Sequence, residues 1–302
     1  MEWSFLSEIW LLSRLVTLTG VNYGTPVSAF RNVWGDAVCR ASEEAFRVIR
    51  DGNCRQPRPA FVLRRMNASR RRSVYTLRWT LLGLDALRYD ALLCRAWETA
   101  GRWGVGPDQR PFSASAGGMV AQGPDGNAVA AGHPKIWRLS EAVWPGAPPA
   151  ADTPCRLVFR EGVSLIEKPS MPAFPGGADR AVADKPRFVR APDFPRLVRS
   201  SWNRVQPWLS EASQRYGEAE LDGWLAAARC QPAVASWQFG GISRWSSTQE
   251  RETEYLVVTG SLELPEGPGP VWPLLLAVYW LGLGRHTTEG LGAFDIVPLV
   301  FP

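Results

Sequence analysis

The sequence predicts an α+β protein of two similar halves, each built around an antiparallel β-sheet. One reason is that the order strand, helix, strand, strand, helix, strand occurs twice along the 302 residues. A second is the segment "WPGAPPAADTP" at 144–154, whose composition is typical of a linker between the two runs. A third is the composition, 45% hydrophobic and 21% charged, which is that of a globular protein with a substantial core.

The first run begins with "FLSEIWLLSRLVTL", which predicts a strand, followed by apolar residues at helical spacing that predict one helix over about 26–50. "RPAFVLRRM" and "SVYTLRWTLLG" predict two strands around the basic turn "NASRRR". "LDALRYDALLCRAWETAGRWG" predicts a second helix that is closed by Gly101 and Gly104. "RPFSASAGGMVAQG" and "KIWRLSEAV" predict further strands.

The second run begins with the predicted strand "CRLVFREGVSLI" and the predicted helix "FPRLVRSSWNRVQPWLSEAS", which is kinked at Pro207. "ASWQFGGISRWSSTQERETEYLVVTGSLEL" predicts two strands joined by a polar segment. "VWPLLLAVYWLGL" predicts a very apolar helix, and "GAFDIVPLVF" predicts the last strand. This order is that of a ferredoxin-like domain, so we predict two tandem ferredoxin-like domains over 1–145 and 152–302.

The charge of the chain favours an anionic partner. Arginine accounts for 31 of the 34 basic residues, which reflects either codon usage or the bidentate fit of guanidinium groups to phosphate. Residues 1–150 carry 19 basic and 12 acidic groups, whereas 151–302 carry 15 and 17. An anion would therefore be attracted more strongly to the first half.

Other features of the composition exclude several classes of protein. The five cysteines lie far apart without metal-ligand spacing, which predicts reduced thiols in a cytoplasmic protein and neither a metal site nor a disulfide framework. No run of about 18 apolar residues predicts a membrane span. The fifteen tryptophans are predicted to lie mainly in the core.

The segment "WLGLGRHTTEGLGAF" before the last strand contains four glycines between positions 282 and 292. Such a run predicts either a crowded helix-to-strand turn or a concave anion site of backbone amides, strengthened by Arg285 and His286. It is neither a Walker loop nor a dinucleotide-binding motif, because no GK[ST] follows it and it does not lead from a strand into a helix.

Five segments, in the same order along the chain, resemble the CRISPR precursor-RNA processing endoribonucleases of the repeat-associated mysterious protein (RAMP) superfamily. The last of them resembles the glycine-rich loop near the C-terminus of that family. The segments are "TPVSAFRNVWGDAV", "RPAFVLR", "LRWTLLGLDALRYDALLCRAWETAGRWGVG", "ISRWSSTQ" and "GLGRHTTEGLGAFDI". The resemblance extends over nearly the whole chain.

The resemblance implies paired ferredoxin-like (RRM-like) folds that bind a CRISPR repeat RNA. It implies cleavage on the 3′ side of the repeat hairpin without a metal or other cofactor, by attack of a 2′-hydroxyl that leaves a 2′,3′-cyclic phosphate. It also implies that the mature CRISPR RNA stays bound and that other subunits of a CRISPR effector complex are partners.

The chain departs from this family at the first helix, where relatives often carry a histidine as general base. Asp36 in "VWGDAV" stands at the matching position, and the only histidines of the sequence are His133 and His286. The departure and the arginine-rich composition suit an arginine-dependent variant, such as the type IV processing enzymes. The departure also suits an alternative, a non-catalytic RNA-binding RAMP subunit of an effector complex. An unrelated ferredoxin-like enzyme is a third alternative, but no cofactor motif supports it.

Metal-free cleavage needs a group that deprotonates the 2′-hydroxyl, and groups that hold the phosphate in line and neutralise developing charge. We predict Tyr23, Arg31 and His286 as catalytic residues. For each there is a second interpretation: packing on the helix for Tyr23, a structural ion pair for Arg31, and simple RNA contact for His286. His133 is a weaker candidate because it precedes a proline in a loop.

The predicted RNA-binding residues belong to three segments. The run "RRMNASRRR" supplies basic side chains around a turn, which we predict to contact phosphates of an A-form stem. The strand "ISRWSSTQ" supplies one arginine, and the glycine-rich segment supplies the rest, beside the first helix of the other domain. The residues are Arg64, Arg65, Arg70, Arg71, Arg72, Arg244, Gly284, Arg285, Thr287 and Gly290.

Overall fold

In this computed structural model, the backbone is described for ten stretches of the chain. Within them, the side chains of 68, 69, 244–246 and 251–253 are not described. The stretches are 3–22, 24–52, 59–69, 73–106, 108–114, 119–130, 135–143, 151–167, 187–246 and 251–299. Among these residues no helix is long and apolar enough to cross a membrane.

The first half forms one antiparallel sheet with helices on one face. A short 3₁₀ helix, Ser4–Glu8, precedes the first strand. In chain order the elements are β1 Trp10–Thr19, α1 Val27–Ala41, α2 Glu43–Asp51, β2 Phe61–Ser69, β3 Val74–Leu82, α3 Leu84–Leu87, α4 Asp90–Trp103, β4 Ser113–Ala114, β5 Val120–Gln122 and β6 Trp137–Arg138. The sheet order is β2-β3-β1-β4, and β5 and β6 also pair with β1. This is the ferredoxin-like order, with three short strands in the place of the fourth.

The second half repeats this arrangement. Its elements are β7 Cys155–Val163, β8 Ile166–Glu167, β9 Arg187–Phe188, α5 Phe194–Val205, α6 Glu211–Cys230, β10 Val234–Ser246, β11 Arg251–Leu264, α7 Trp272–Leu281 and β12 Asp295–Pro298. The four-stranded antiparallel sheet has the order β10-β11-β7-β12, and β8 pairs with β9 separately. The predicted fold class, two ferredoxin-like units with antiparallel sheets, is confirmed. The limits 1–145 and 152–302 for the two domains stay a prediction.

Two hydrophobic cores explain why these sequences form these layers. In β1, Leu12, Val16 and Leu18 all face the core of the first half. In this core Trp34 stacks on Trp97 with ring centres 5.4 Å apart. The second core is centred on α5, α6 and α7. It also contains residues of the first half, among them Leu11, Val62 and Trp137 on the opposite face of the first sheet. The halves are therefore packed together through shared apolar surface.

The first helix differs from its prediction. The single helix predicted over 26–50 is two helices, α1 and α2, that meet at Ser42. Ser42 has extended backbone angles, and its hydroxyl accepts a hydrogen bond from the amide of Ala45 at 3.1 Å. A serine in this position starts a new helix, and the apolar spacing of the two segments does not reveal the break.

The region after Pro207 also differs. The kink is confirmed, because α5 passes into a 3₁₀ turn, Gln206–Trp208, before α6 begins behind the capping residue Ser210. The prediction gave only one helix here and omitted α6. The buried positions Leu221, Trp224, Leu225 and Ala228 recur at helical spacing, so the sequence contained a usable signal.

Candidate functional site

Residues 282–292, hereafter the glycine loop, join α7 to β12 by an unusual backbone path. Five of its residues lie at positive φ between +59° and +90°, a region that favours glycine. They are Gly282, Gly284, His286, Gly290 and Gly292. His286 is the non-glycine member of this group, and it immediately precedes a short 3₁₀ turn, Thr287–Glu289.

Backbone hydrogen bonds fix the loop against itself and against β7. The amide of Leu283 donates to the carbonyl of Gly292 at 2.9 Å. The amide of Arg285 donates to Ser164 at 3.0 Å, and the amide of Gly292 donates to Gly162 at 2.8 Å. These three amides are already hydrogen-bonded within the protein, so an RNA backbone held by the loop would need other donors.

Gly290 brings the loop against the start of α1. A Cβ atom built on Gly290 would lie 2.8 Å from the Cβ of Val27, which is too close for any side chain. The crowded-turn interpretation of the glycines therefore applies at this position. The contact also places the loop of the second half beside the first helix of the first half, as predicted from the sequence.

A small cleft of about 60 Å³ opens where these elements meet. Its walls come from the start of α1, from β7, from the β10–β11 hairpin and from the glycine loop. They are Pro26, Val27, Ser28, Glu161, Ile242, Tyr255, Glu289, Gly290 and Leu291. Helix α1 begins here with no side-chain cap and no acidic residue in its first turn, so its amide end keeps its partial positive charge.

His286 stands beside this cleft in contact with Tyr255. The ring centres are 4.2 Å apart and the planes are inclined by 40°. Both residues are half-buried. The tyrosine packs against the imidazole and restricts its rotation, while the left-handed backbone at His286 sets the direction in which the ring leaves the loop.

Arg31 lies on α1, four residues beyond Val27 and thus on the same face of the helix. It is half-buried, and its Nη1 donates to Oδ1 of the neighbouring Asn32 at 3.2 Å. Asp36, five residues further along α1, is exposed. The position of Arg31 on the helix that borders the cleft is compatible with its predicted part in the chemistry.

The other predicted residues of the glycine loop have different environments. The Arg285 side chain is exposed, and its backbone forms a β-bridge with Ser164. Thr287 is only 4% exposed. A Cβ on Gly282 would lie 2.7 Å from the Thr287 Cγ2 atom, so Thr287 packs inside the loop. Gly284 lies against the backbone of Ser164. Of these residues, Arg285 presents the most accessible side chain to a ligand.

The arginines at the base of the β2–β3 hairpin make contacts within the protein. Arg64 is 5% exposed, forms an ion pair with Asp295, and has its guanidinium 4.4 Å from the centre of the Tyr279 ring. Arg65 forms an ion pair with Glu161, a residue of the cleft wall. A phosphate could contact Arg64 only if this interface opened.

Several predicted residues fall outside what the structure describes. Tyr23, Arg70, Arg71 and Arg72 lie outside the described residues, as does His133. Arg244 belongs to β10 opposite Thr253, but its side chain is not described. The predictions for these residues remain predictions.

Tyr255 and Glu161 are the members of the site that sequence reasoning missed. Tyr255 follows a run of charged residues in β11, and nothing in "RETEYLVV" distinguishes it from an ordinary strand residue. Its position opposite Ile242 in the β10–β11 ladder, and against His286, follows only from the fold. Among the described residues no cluster of histidine, cysteine, aspartate and glutamate has the arrangement of a metal site.

The fold and this cleft define a class, the tandem ferredoxin-like proteins in which the C-terminal glycine loop faces the first helix. Solved structures similar to this chain have the Cas6 fold. A Cas6 product complex matches with a TM-score of 0.57 and 15% identity, over 95% of this chain and 100% of that one. Cas6 of Thermus thermophilus matches with a TM-score of 0.54 and 13% identity, over 96% and 99%.

A third match is a partial Cas6-RT-Cas1–Cas2 complex. It has a TM-score of 0.53 and 12% identity, and covers 97% of this chain and 46% of the other. No family model matches the sequence, and neither does any curated protein. At these identities the matches establish the fold, and the paired ferredoxin-like folds that the RAMP resemblance implies are confirmed.

Proposed function

We propose that this protein is an endoribonuclease that binds the CRISPR repeat and cleaves the precursor RNA to the mature CRISPR RNA. The observation that carries the proposal is the cleft between α1 and the glycine loop, in a chain with the Cas6 fold. One of the similar structures is a Cas6 product complex, which supports product retention here. Another is a Cas6-RT-Cas1–Cas2 complex, which supports other CRISPR proteins as partners.

The proposed reaction is attack of a 2′-hydroxyl on the adjacent phosphate, without a metal. His286 would take the proton from the 2′-hydroxyl or give one to the leaving 5′-oxygen, with its ring held by Tyr255. The uncapped amide end of α1 would attract the scissile phosphate. Arg31 and Arg285 would neutralise charge on the phosphorane, and Tyr23, which precedes α1, is proposed to assist them.

We expect the purified protein to cut its cognate repeat RNA in the presence of EDTA. Because the 2′-hydroxyl is the nucleophile, the products should carry a 2′,3′-cyclic phosphate or 3′-phosphate and a 5′-hydroxyl. A single 2′-deoxy nucleotide immediately upstream of the cut should abolish cleavage while leaving RNA affinity nearly unchanged. Fragment sizing and end-group analysis measure both results.

The matched control is a 2′-deoxy substitution two nucleotides further upstream, which should be cut normally. Cleavage of the RNA with the deoxy group at the scissile position would exclude attack by the 2′-hydroxyl. Cleavage that stops in EDTA and returns with Mg²⁺ would show that the reaction depends on a metal, which contradicts the proposed chemistry.

RNA affinity is expected to fall steeply with salt, because Arg70, Arg71 and Arg72 are proposed to contact phosphates. Replacing the three by alanine should reduce the slope of log K against log [salt] by roughly 0.7 to 0.9 for each lost contact. Filter binding of an uncleavable 2′-deoxy repeat between low and moderate salt gives the slopes.

The control is a variant in which the exposed helical arginines Arg102, Arg215 and Arg229 are changed to alanine. This variant loses the same formal charge from other surfaces and should keep the wild-type slope. Equal slopes for both triple variants would mean that the basic hairpin contributes only general charge.

A second candidate function is RNA binding without cleavage, as a structural subunit of a CRISPR effector complex. The observation that favours it is the exposed Asp36 on α1, where processing enzymes often carry their histidine. The EDTA experiment separates the two functions, because a binding subunit would shift the repeat RNA in a gel and leave it intact.

A further inference from the structure

The carboxyl end of α7 is buried. Tyr279 is 5% exposed, and Trp280 and Leu281 are fully buried. The last four carbonyl groups of a helix have no partners inside it and must find donors elsewhere. Helix α7 has no basic residue in its last turn, so these donors come from other elements.

Two buried arginines, one from each half of the protein, supply donors to two of these carbonyls. Nη2 of Arg78, in β3, donates to the carbonyl of Tyr279 at 3.0 Å. Nε of Arg204, in α5, donates to the carbonyl of Leu281 at 2.9 Å. Arg78 and Arg204 are only 2% and 7% exposed. Positive charge at this end also complements the helix dipole.

The surroundings of Arg78 show that this contact is specific. Arg78 lies directly opposite Arg64 in the β2–β3 ladder, an arrangement in which like charges repel. Burial lowers the pKa of Arg78 to about 10, so the side chain is still charged at neutral pH. An apolar side chain of similar length would fill the same space without the free-energy cost of removing a charge from water. The directed bond to the helix end gives a reason for arginine here.

The helix end that Arg78 holds is also the beginning of the glycine loop. Gly282 follows Leu281 directly, and the amide of Leu283 donates across the loop to Gly292. The guanidinium of Arg78 also lies 4.5 Å and 4.3 Å from the ring centres of Tyr279 and Trp280. A shift of the helix end would therefore be passed to the loop and to its contact with α1.

We propose that Arg78 is a positioning residue. By capping α7 from the sheet of the first half, it sets the glycine loop of the second half against α1 and so assembles the cleft. Its effect on cleavage rests on the proposed function, whereas its effect on the loop does not. The two effects are therefore measured separately.

The test compares Arg78→Met with Arg14→Met. Arg14 is another buried arginine of the first sheet, and the polar partners of its side chain among the described residues, Asp90 and the carbonyl of Met119, both lie in the first half. Both variants should be less stable. Only Arg78→Met should raise amide hydrogen exchange at Leu283, Arg285 and Gly292, as measured by NMR or mass spectrometry.

The second measurement is the cleavage rate. With Arg78→Met protein at saturation, the single-turnover rate should fall roughly 10- to 100-fold, as expected for a misplaced catalytic group. RNA affinity should change much less. Arg78→Lys keeps a donor and a charge, so it should recover part of both the exchange protection and the rate. Should Arg78→Met fail to fold, Arg78→Lys alone decides, because it should raise loop exchange above the wild-type level while Arg14→Met does not.

Wild-type exchange at the loop in a folded Arg78 variant would overturn the proposal, and so would equal loosening of the loop in Arg14→Met. If the wild-type protein proved unable to cut RNA, the proposed function would fail. Selective loosening of the loop in the Arg78 variants would still establish the positioning role.

Discussion

Replacing His286 by alanine is expected to lower the single-turnover cleavage rate by about 10²- to 10⁴-fold, the usual contribution of a catalytic acid or base. The reason is the location of its imidazole beside the cleft, where the Tyr255 ring packs against it at 4.2 Å. The rate is measured at saturating protein on the cognate repeat, so that a change in affinity does not enter. Binding to an uncleavable repeat is measured in parallel.

Two control variants separate the imidazole from the backbone. Asparagine tolerates the left-handed region, so His286→Asn should fold like the wild type and be as slow as His286→Ala. Tyr255→Phe keeps the ring that packs on the imidazole and should stay within a few-fold of the wild-type rate. A wild-type rate at saturating protein, with an RNA affinity that falls only about fivefold, would make His286 an RNA contact worth ~1 kcal/mol. The chemistry would then rest on Arg31 and Arg285.

A second large effect is expected at Gly290, where valine should lower the free energy of unfolding by about 2 to 5 kcal/mol. About 1–2 kcal/mol of this comes from a positive φ for a non-glycine residue, and about 1–3 from overpacking against Val27. Because the new side chain pushes the glycine loop away from α1, RNA binding should weaken as well. Urea denaturation and binding to the uncleavable repeat measure the two effects.

Gly106 provides a matched control for the backbone term. It has φ of +82°, close to the +90° of Gly290, but a Cβ atom there would meet nothing within 4 Å. Gly106→Val should therefore show the strain without the collision and leave RNA binding unchanged. Combining Gly290→Ala with Val27→Ala should recover part of the loss caused by Gly290→Ala, because it removes the two Val27 methyl groups at 2.9 and 3.1 Å but keeps the Val27 Cβ at 2.8 Å. Equal losses at Gly106 and Gly290 would show that the contact with α1 contributes nothing.

Much of the fold could be predicted because the order of strands and helices is written in local apolar spacing. The break at Ser42 could not, since one capping hydrogen bond interrupts a helix whose apolar pattern continues on both sides. Strands were predicted over the two segments 110–123 and 135–143, in which the structure has the three short strands β4, β5 and β6. Only their pairing with β1, a tertiary contact, defines where they begin and end.

The site was predictable where the signal was local. The glycine loop was identified from its composition and the first helix from its apolar spacing, whereas Tyr255 was not identified, because its partner His286 lies on another element. Arg64 shows the reverse problem. In the sequence it belongs to a basic run, but the strand turns it inward to Asp295, 231 residues later in the chain. No local pattern contains that information.

The buried tryptophans have a consequence for spectroscopy. Trp34, Trp79 and Trp97 lie in the first core, and Trp202, Trp224 and Trp280 lie in the second, all fully buried. Indoles so shielded from water emit at short wavelengths, and their emission moves to the red when either half unfolds. Intrinsic fluorescence would thus follow the folding of both halves at once. A dye attached to the RNA would be the better reporter of binding.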